Sequence, residues 1–332
     1  MESLGSARLD PAPNRVPARN LDPWPAPSPP PRGGGRARRS RRQGNLLVAP
    51  ALAVVAIVTL LPIAFSVFMS FTDPAAGPDG FTFTWVGTEN YQSVLGSEVF
   101  RHAVQFTVLF TVITVIIEMS LGIAVALVID RMTVGRSFAI ASMLVPWAVI
   151  TVISAQLWNY IFNGVYGIAN ALLMWLHLID EPTSFLSTPN SALIALGMAD
   201  VWKTTPFVAI IALGGLQMID RELYQAAAID GAGPVARFRA ITLPLLRPAL
   251  VTALTFRVLQ SFGLFDLPFI LTHGGPGHTT ETVGVLAYDV LFGDLNFGAG
   301  AAISSLTTVM VLIAALVFFK VFGFAKEVAD RG

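Results

Sequence analysis

Six stretches of this chain, near residues 46–71, 102–129, 137–162, 191–216, 249–272 and 297–322, are each an almost unbroken apolar run. Each is longer than the roughly 20 residues an α-helix needs to cross about 30 Å of hydrocarbon. They predict an all-α integral membrane fold with six transmembrane helices. The composition agrees: of 332 residues, 54% are hydrophobic and 13% charged, and the mean hydropathy is +0.66, outside the balance of soluble domains. The first run has the basic flank of a secretory signal. It is nevertheless much longer than the core of about 7–15 residues found in signal peptides, so it is expected to stay attached.

The formal net charge of zero conceals a segregation, because nine of the 21 basic residues precede Asn45. Residues 1–44 are rich in Pro, Gly and Arg, lack apolar periodicity and read as a disordered tail, with 45–332 as one six-span domain. The Arg cluster abuts the first span and reads as a topological anchor beside anionic lipid, not as a nucleic-acid site. Further basic residues follow span 2 (Arg131, Arg136), span 4 (Arg221, Arg237, Arg239, Arg247) and span 6 (Lys320, Lys326, Arg331). The alternate loops, 72–101, 163–190 and 273–296, hold Arg101 as their only Lys or Arg but carry nine carboxylates, among them Asp73, Asp79, Glu181, Glu281 and Asp289. The positive-inside rule then places both termini in the cytoplasm. A short apolar run from Val165 to Ile179 is expected to lie at the outer interface without spanning.

Between spans 4 and 5 runs Leu223-Tyr224-Gln225-Ala226-Ala227-Ala228-Ile229-Asp230-Gly231-Ala232-Gly233-Pro234, followed by Phe238, Ile241, Leu243-Pro244 and Pro248. Residues 220–229 favour a short helix, Gly231 and Gly233 stop it, and Pro234 suits the first turn of a second helix. Val235, Phe238, Ile241 or Thr242, and Leu245 recur there at helical spacing, and Leu243-Pro244 is expected to bend the chain. Such a helix–turn–helix suits either a rigid lever or an amphipathic loop resting on lipid.

The stretch resembles the EAA loop of ABC-importer permeases: Glu-Ala-Ala, two variable residues, Asp-Gly-Ala, then a Phe, an Ile, Leu-Pro and a final Pro. Ala226, Ala227, Asp230, Gly231, Ala232, Phe238, Ile241, Leu243, Pro244 and Pro248 match in order and spacing. The resemblance implies that this loop, 217–248, docks in a cleft of an ATPase subunit, with Tyr224 and Gly233 in the same surface. Gln225 stands where the family has Glu, which puts a charged contact there in doubt. Gly87 to Tyr91, Pro146-Trp147 with Trp158 and Phe162, Gly167 to Asn170, Trp202 to Phe207, and Leu271 to Pro276 are similar to the carbohydrate-uptake branch of maltose and glycerol-phosphate importers. Within it, the Pro- and Arg-rich stretch before span 1 is most like actinobacterial trehalose permeases.

The resemblance implies a non-catalytic sugar permease of the bacterial plasma membrane, carrying a disaccharide such as trehalose. Its implied partners are a second, related permease, two copies of an ABC ATPase that bind ATP and Mg, an extracytoplasmic sugar-binding protein, and lipid. It also implies that the sugar is held mid-membrane by spans 4 and 5, at Thr204, Phe207 and Ser261, with Lys203 and Gln260 adjacent. A sugar site needs aromatic faces and fixed hydrogen-bonding groups. Trp202 and Phe265 add to that inventory.

No lysine follows a Gly, so the chain has no phosphate loop ending in Gly-Lys-Ser/Thr, and ATP must bind elsewhere. Gly298 and Gly300 open an apolar span without a preceding strand and read as packing residues, not a dinucleotide fingerprint. Cysteine is absent, which excludes disulfides, thiol nucleophiles and Cys-ligated metals. His102, His177, His273 and His278 show no metal-ligand spacing, and no metal is expected. Glu118, Asp200, Lys203, Arg257 and Asp266 lie at membrane depth, where each costs roughly 2.5–3.5 kcal/mol on insertion scales. Asp200 and Lys203, three apart, are expected either to satisfy one another or to line a pore, and Arg257 to snorkel toward the cytoplasm. A proton-coupled secondary transporter using Asp200, Lys203 and Asp266 would leave the Ala-Asp-Gly loop unexplained, and no clustered Ser/His/Asp or His/Glu set supports a membrane enzyme.

Overall fold

A computed structural model describes residues 34–78 and 80–322. The expected disorder of residues 1–33 and the basic residues Lys326 and Arg331 lie outside the described residues. Helix α1, Gly34–Ser70, opens inside the segment assigned to the tail. Arginine is a good helix former, and a helix required by the apolar run that follows can extend back through an Arg-rich flank.

Each apolar run becomes helical. Among the described residues, α1, α3 (Glu98–Arg131), α7 (Pro189–Gln217), the helix Pro234–Phe262 and α13 (Phe297–Phe322) are long and apolar enough to cross a membrane. The third run differs from expectation: α4 (Arg136–Ala148) and α5 (Thr151–Ile161) meet at 92°, so this run is a bent pair and not one straight helix. Pro146 removes a donor near the end of α4, and Val149 and Ile150 are both extended, with ψ of 132° and 138°.

The fold is not wholly helical. β1 (Thr72–Gly77) and β2 (Gly80–Trp85) pair antiparallel, with Thr72 opposite Trp85 and Gly77 opposite Gly80. Thr82 and Thr84 alternate with Phe81, Phe83 and Trp85, a period-two pattern hidden beside a dominant helical signal. Phe65 and Phe68 of α1 meet Phe83 at centroid distances of 6.3 and 5.7 Å. Asn90, on α2 (Glu89–Gly96), donates to the carbonyls of Ser70 and Thr72 at 3.0 and 2.8 Å, holding the hairpin to the end of α1. The short run after span 3 forms α6 (Ile168–Trp175), with Ile168, Leu172 and Trp175 exposed.

Small residues let the long helices approach closely. A Cβ on Gly122 of α3 would lie 2.6 Å from Val208 Cγ1 of α7, and α7 buries Ala192, Ala195, Ala199, Ala209 and Ala212 along its length. A Cβ on Gly298 would stand 2.7 Å from Asn90 Nδ2, in keeping with its reading as a packing residue. At one end of the bundle, Ala126, Ile129, Leu213, Leu216 and Leu246 form a core against which Tyr224 and Ile241 pack.

The segment between α7 and the fifth span is a helix–turn–helix. α8 (Arg221–Ile229) starts at Asp220, whose carboxylate accepts from Glu222 N at 3.0 Å. It ends in a paired capping motif: Ala232 N donates to Ala227 O at 2.9 Å and Gly231 N to Ala228 O at 3.1 Å, with Gly231 at φ +78°. α9 (Pro234–Arg237) follows, then a π turn over Phe238–Thr242 and α10 (Leu243–Phe262). The chain does not leave the helix at Leu243-Pro244. Leu243 N reaches back to Phe238 O, and this wide turn accommodates the proline within one helix from Pro234 to Phe262. The fifth run breaks instead at Gly263, beyond which α11 (Asp266–Leu271) is separate. α12 (Val283–Tyr288) and a π turn, Asp289–Gly293, complete the chain before α13.

Candidate functional site

Three spans each contribute one charged residue to a buried point. Arg257 of α10 is 3% exposed, Glu118 of α3 0% and Asp200 of α7 2%. Arg257 Nε donates to Glu118 Oε2 at 2.5 Å and Nη2 to Glu118 Oε1 at 2.8 Å, a two-point pair matched to the planar guanidinium. Nη2 also lies 3.4 Å from Asp200 Oδ2 and 3.1 Å from Ser261 Oγ, and Nη1 donates to Gln260 Oε1 at 3.1 Å. Thr204 Oγ1 donates to Glu118 Oε1 at 2.7 Å. Ser261 sits one helical turn beyond Arg257 on α10, which places both on one face.

One expectation is corrected here, and one pair of alternatives is resolved. Arg257 does not snorkel, because its partners lie on the neighbouring helices. Of the two alternatives for Asp200 and Lys203, the closed pair is not formed and both line a cavity: Asp200 meets Arg257, while Lys203 Nζ donates to the carbonyl of Val149 at 2.5 Å, at the break between α4 and α5. Glu118 and Arg257 carry opposite charges on spans 2 and 5, a complementarity visible in the sequence once the two helices are known to touch.

Beside this network opens a cavity of about 690 Å³, within the size range of small-molecule sites. Lys203, Thr204, Gln260 and Phe265, all predicted site residues, line it, as do Asp200, Arg257 and Asp266. Ser261 lies beneath, buried against Arg257. Phe207 stands behind the wall, stacked on the lining residue Trp147 at 6.2 Å and edge-on to Phe256 at 6.0 Å. Trp202 is turned to Trp158 at 5.7 Å and is not part of the lining. Trp147, Ile150 and Thr151 belong to the wall because the 92° break turns them there. Sequence reasoning missed them as site residues, and Pro146 is the one local signal of the break.

The helix–turn–helix presents a different surface. Gln225, Ala226, Asp230, Gly231 and Gly233 are exposed, Ala227, Ala232 and Phe238 are half-buried, and Leu243 and Pro244 are exposed. Tyr224 OH lies 3.0 Å from Thr242 Oγ1, tying α8 to the π turn. Elsewhere, His278 Nδ1 meets the buried Glu281 carboxylate at 2.7 Å in the loop before α12. Burial pushes the Glu281 carboxyl up from its ordinary 4.5, opposed by the hydrogen bond from His278.

Residues 119–331 match the family described as "Binding-protein-dependent transport system inner membrane component". The chain is 40% identical to the "Trehalose/maltose transport system permease protein MalF" of Thermococcus litoralis, over 87% of this chain and 96% of that protein. It is 34% identical to the "Trehalose transport system permease protein SugA" of Mycobacterium tuberculosis, over 88% of this chain and 92% of that one. Its fold is similar to a chain in a crystal structure of a bacterial ABC transporter involved in the import of the acidic polysaccharide alginate. There the TM-score is 0.72 at 21% identity, covering 86% of this chain and 98% of that chain.

Proposed function

The chain belongs to the family of inner-membrane components of binding-protein-dependent transport systems, and from that premise we propose that it is one of two permease subunits of an ATP-driven importer for a trehalose- or maltose-like disaccharide. The relatives named for trehalose and maltose support the sugar class. Two ATPase subunits bind ATP and Mg, and a binding protein delivers the sugar to the outer loops. In this reading both termini and the segment 217–248 face the cytoplasm, which the distribution of Arg and Lys supports.

The observation that carries the coupling is mechanical. The helix from Pro234 to Phe262 is continuous over 29 residues, about 43 Å. One end follows the capped turn at Gly231, and the other bears Arg257, Gln260 and Ser261 at the cavity. A displacement of α8 by the ATPases is therefore delivered to the sugar site along one rigid element, and Tyr224 and Ile241, packed on the ends of α3 and α7, carry those helices with it. The sugar lies in the cavity, with Trp147 and Phe265 offering ring faces and Lys203, Thr204 and Gln260 hydrogen bonds. Glu118 is held at two points by Arg257, an arrangement that supports a structural charge network over a proton relay.

The test is purification of the tagged chain from its native membrane, mass spectrometry of what accompanies it, and ATPase and uptake assays with trehalose and maltose. Recovery of an ATPase and a second six-span permease, with hydrolysis stimulated by one of the sugars plus a binding protein, is the expected result. A chain that is isolated alone and still moves solute on a proton gradient overturns the reading.

A further inference from the structure

The break between α4 and α5 is one wall of the cavity, where Trp147 to Thr151 line it consecutively. Such a break leaves backbone groups without partners on their own helix. Val149, the C-cap of α4, finds its partner in Lys203 Nζ across the gap, 2.5 Å away on α7. Lys203 lines the same cavity, and among the described residues its ammonium makes no ion pair with a carboxylate. An ammonium has three donors, of which Val149 takes one.

We infer that Lys203 is a positioning residue shared between the break and the transported molecule. In the empty site it fastens α7 to the end of α4; an arriving hydroxyl group takes its place between them and frees the break to move. The inference rests on the sugar-import reading. A hydroxyl both accepts and donates, so a sugar oxygen accepts from the ammonium while its proton goes to the Val149 carbonyl, and both ends of the opened bond are satisfied. An anion takes the ammonium but has no hydrogen to offer the carbonyl. A cation meets the carbonyl but is repelled by the ammonium. The exchange therefore selects neutral polyols, and it makes the geometry of span 3 depend on occupancy.

The chain has no cysteine, so paired labels are introduced cleanly. Spin labels at Ser142→Cys on α4 and Gln156→Cys on α5, both exposed positions, report the distance across the break in the assembled importer in lipid. Without sugar, the chain with native Lys203 is expected to show one narrow distance distribution, retained in Lys203→Arg and broadened in Lys203→Met. Trehalose or maltose is expected to move the native distribution to that of Lys203→Met, and sugar stimulation of ATP hydrolysis is expected to be lost in Lys203→Met. A native distribution unmoved by a sugar that the same preparation transports overturns the proposal, whether or not Lys203→Met assembles. A preparation that hydrolyses ATP but takes up neither sugar overturns the sugar-import reading instead. The latch is then decided without sugar, and superimposed distributions for native Lys203, Lys203→Met and Lys203→Gln reject it.

Discussion

A guanidinium at membrane depth costs roughly 2.5–3.5 kcal/mol on insertion scales, and Arg257 offsets that cost by serving two carboxylates, a hydroxyl and an amide at once. Arg257→Leu leaves Glu118 and Asp200 buried without it. A loss of about 3–5 kcal/mol in stability is expected, read by thermal unfolding in detergent; the pair change Glu118→Gln with Arg257→Gln is expected to be milder, because it removes both members of the tightest contact. A second residue, Glu281, titrates outside the spans. Its carboxyl is pushed up by burial, so its contribution to stability is fully present below the ordinary carboxylate value of 4.5 and is lost as pH rises through the elevated one. The melting temperature is expected to fall over that rise in the native chain and to stay flatter in Glu281→Gln; parallel profiles would show that Glu281 is not the titrating group.

Among the elements, two glycines fix the local geometry at a turn and at a helix crossing. Gly231 occupies the left-handed region that closes α8, with φ +78°, where an L-residue costs about 1–2 kcal/mol and a β-branched one is least tolerated. Gly231→Val is expected to abolish uptake and sugar-stimulated ATP hydrolysis while the chain still inserts, because the fault lies in an exposed turn and not in a span. Normal uptake by this variant would remove the lever. Gly122 acts by absence of bulk, since any side chain there collides with Val208. Gly122→Ile forces α3 from α7 and is expected to cost about 1–3 kcal/mol, seen as a lower melting temperature of the purified chain. The π turn before Pro244 explains why a Leu-Pro step, ordinarily a bend, lies inside a continuous helix.

For the whole molecule, the proposal stands or falls with orientation. Single cysteines at Glu181 and Gln225, both exposed, are expected to react differently with a membrane-impermeant maleimide: Glu181→Cys in intact cells, Gln225→Cys only after permeabilisation. The reverse pattern would invert the topology and place the helix–turn–helix where no ATPase can reach it. In the proposed mechanism, substrate handling and coupling fall at opposite ends of one helix: polar groups that would meet the sugar need shielding from lipid by several helices, whereas a surface that would meet the ATPase needs exposure.

The apolar runs that become helices, the alternation of basic and acidic loops, and the capped helix between the fourth and fifth runs could all be read in the sequence, because hydropathy over a run, charge beside it, and Gly or Pro at a turn are local properties. The hairpin was missed because a six-residue alternation is weak beside runs of twenty apolar residues. Which polar residues meet was beyond sequence reading: Arg257 is separated by 139 residues from Glu118 and by 57 from Asp200, and Lys203 by 54 from Val149. Membrane depth requires each of these groups to find a partner, but only the packing of α3, α7 and α10, and the 92° turn of the third span, decides which one.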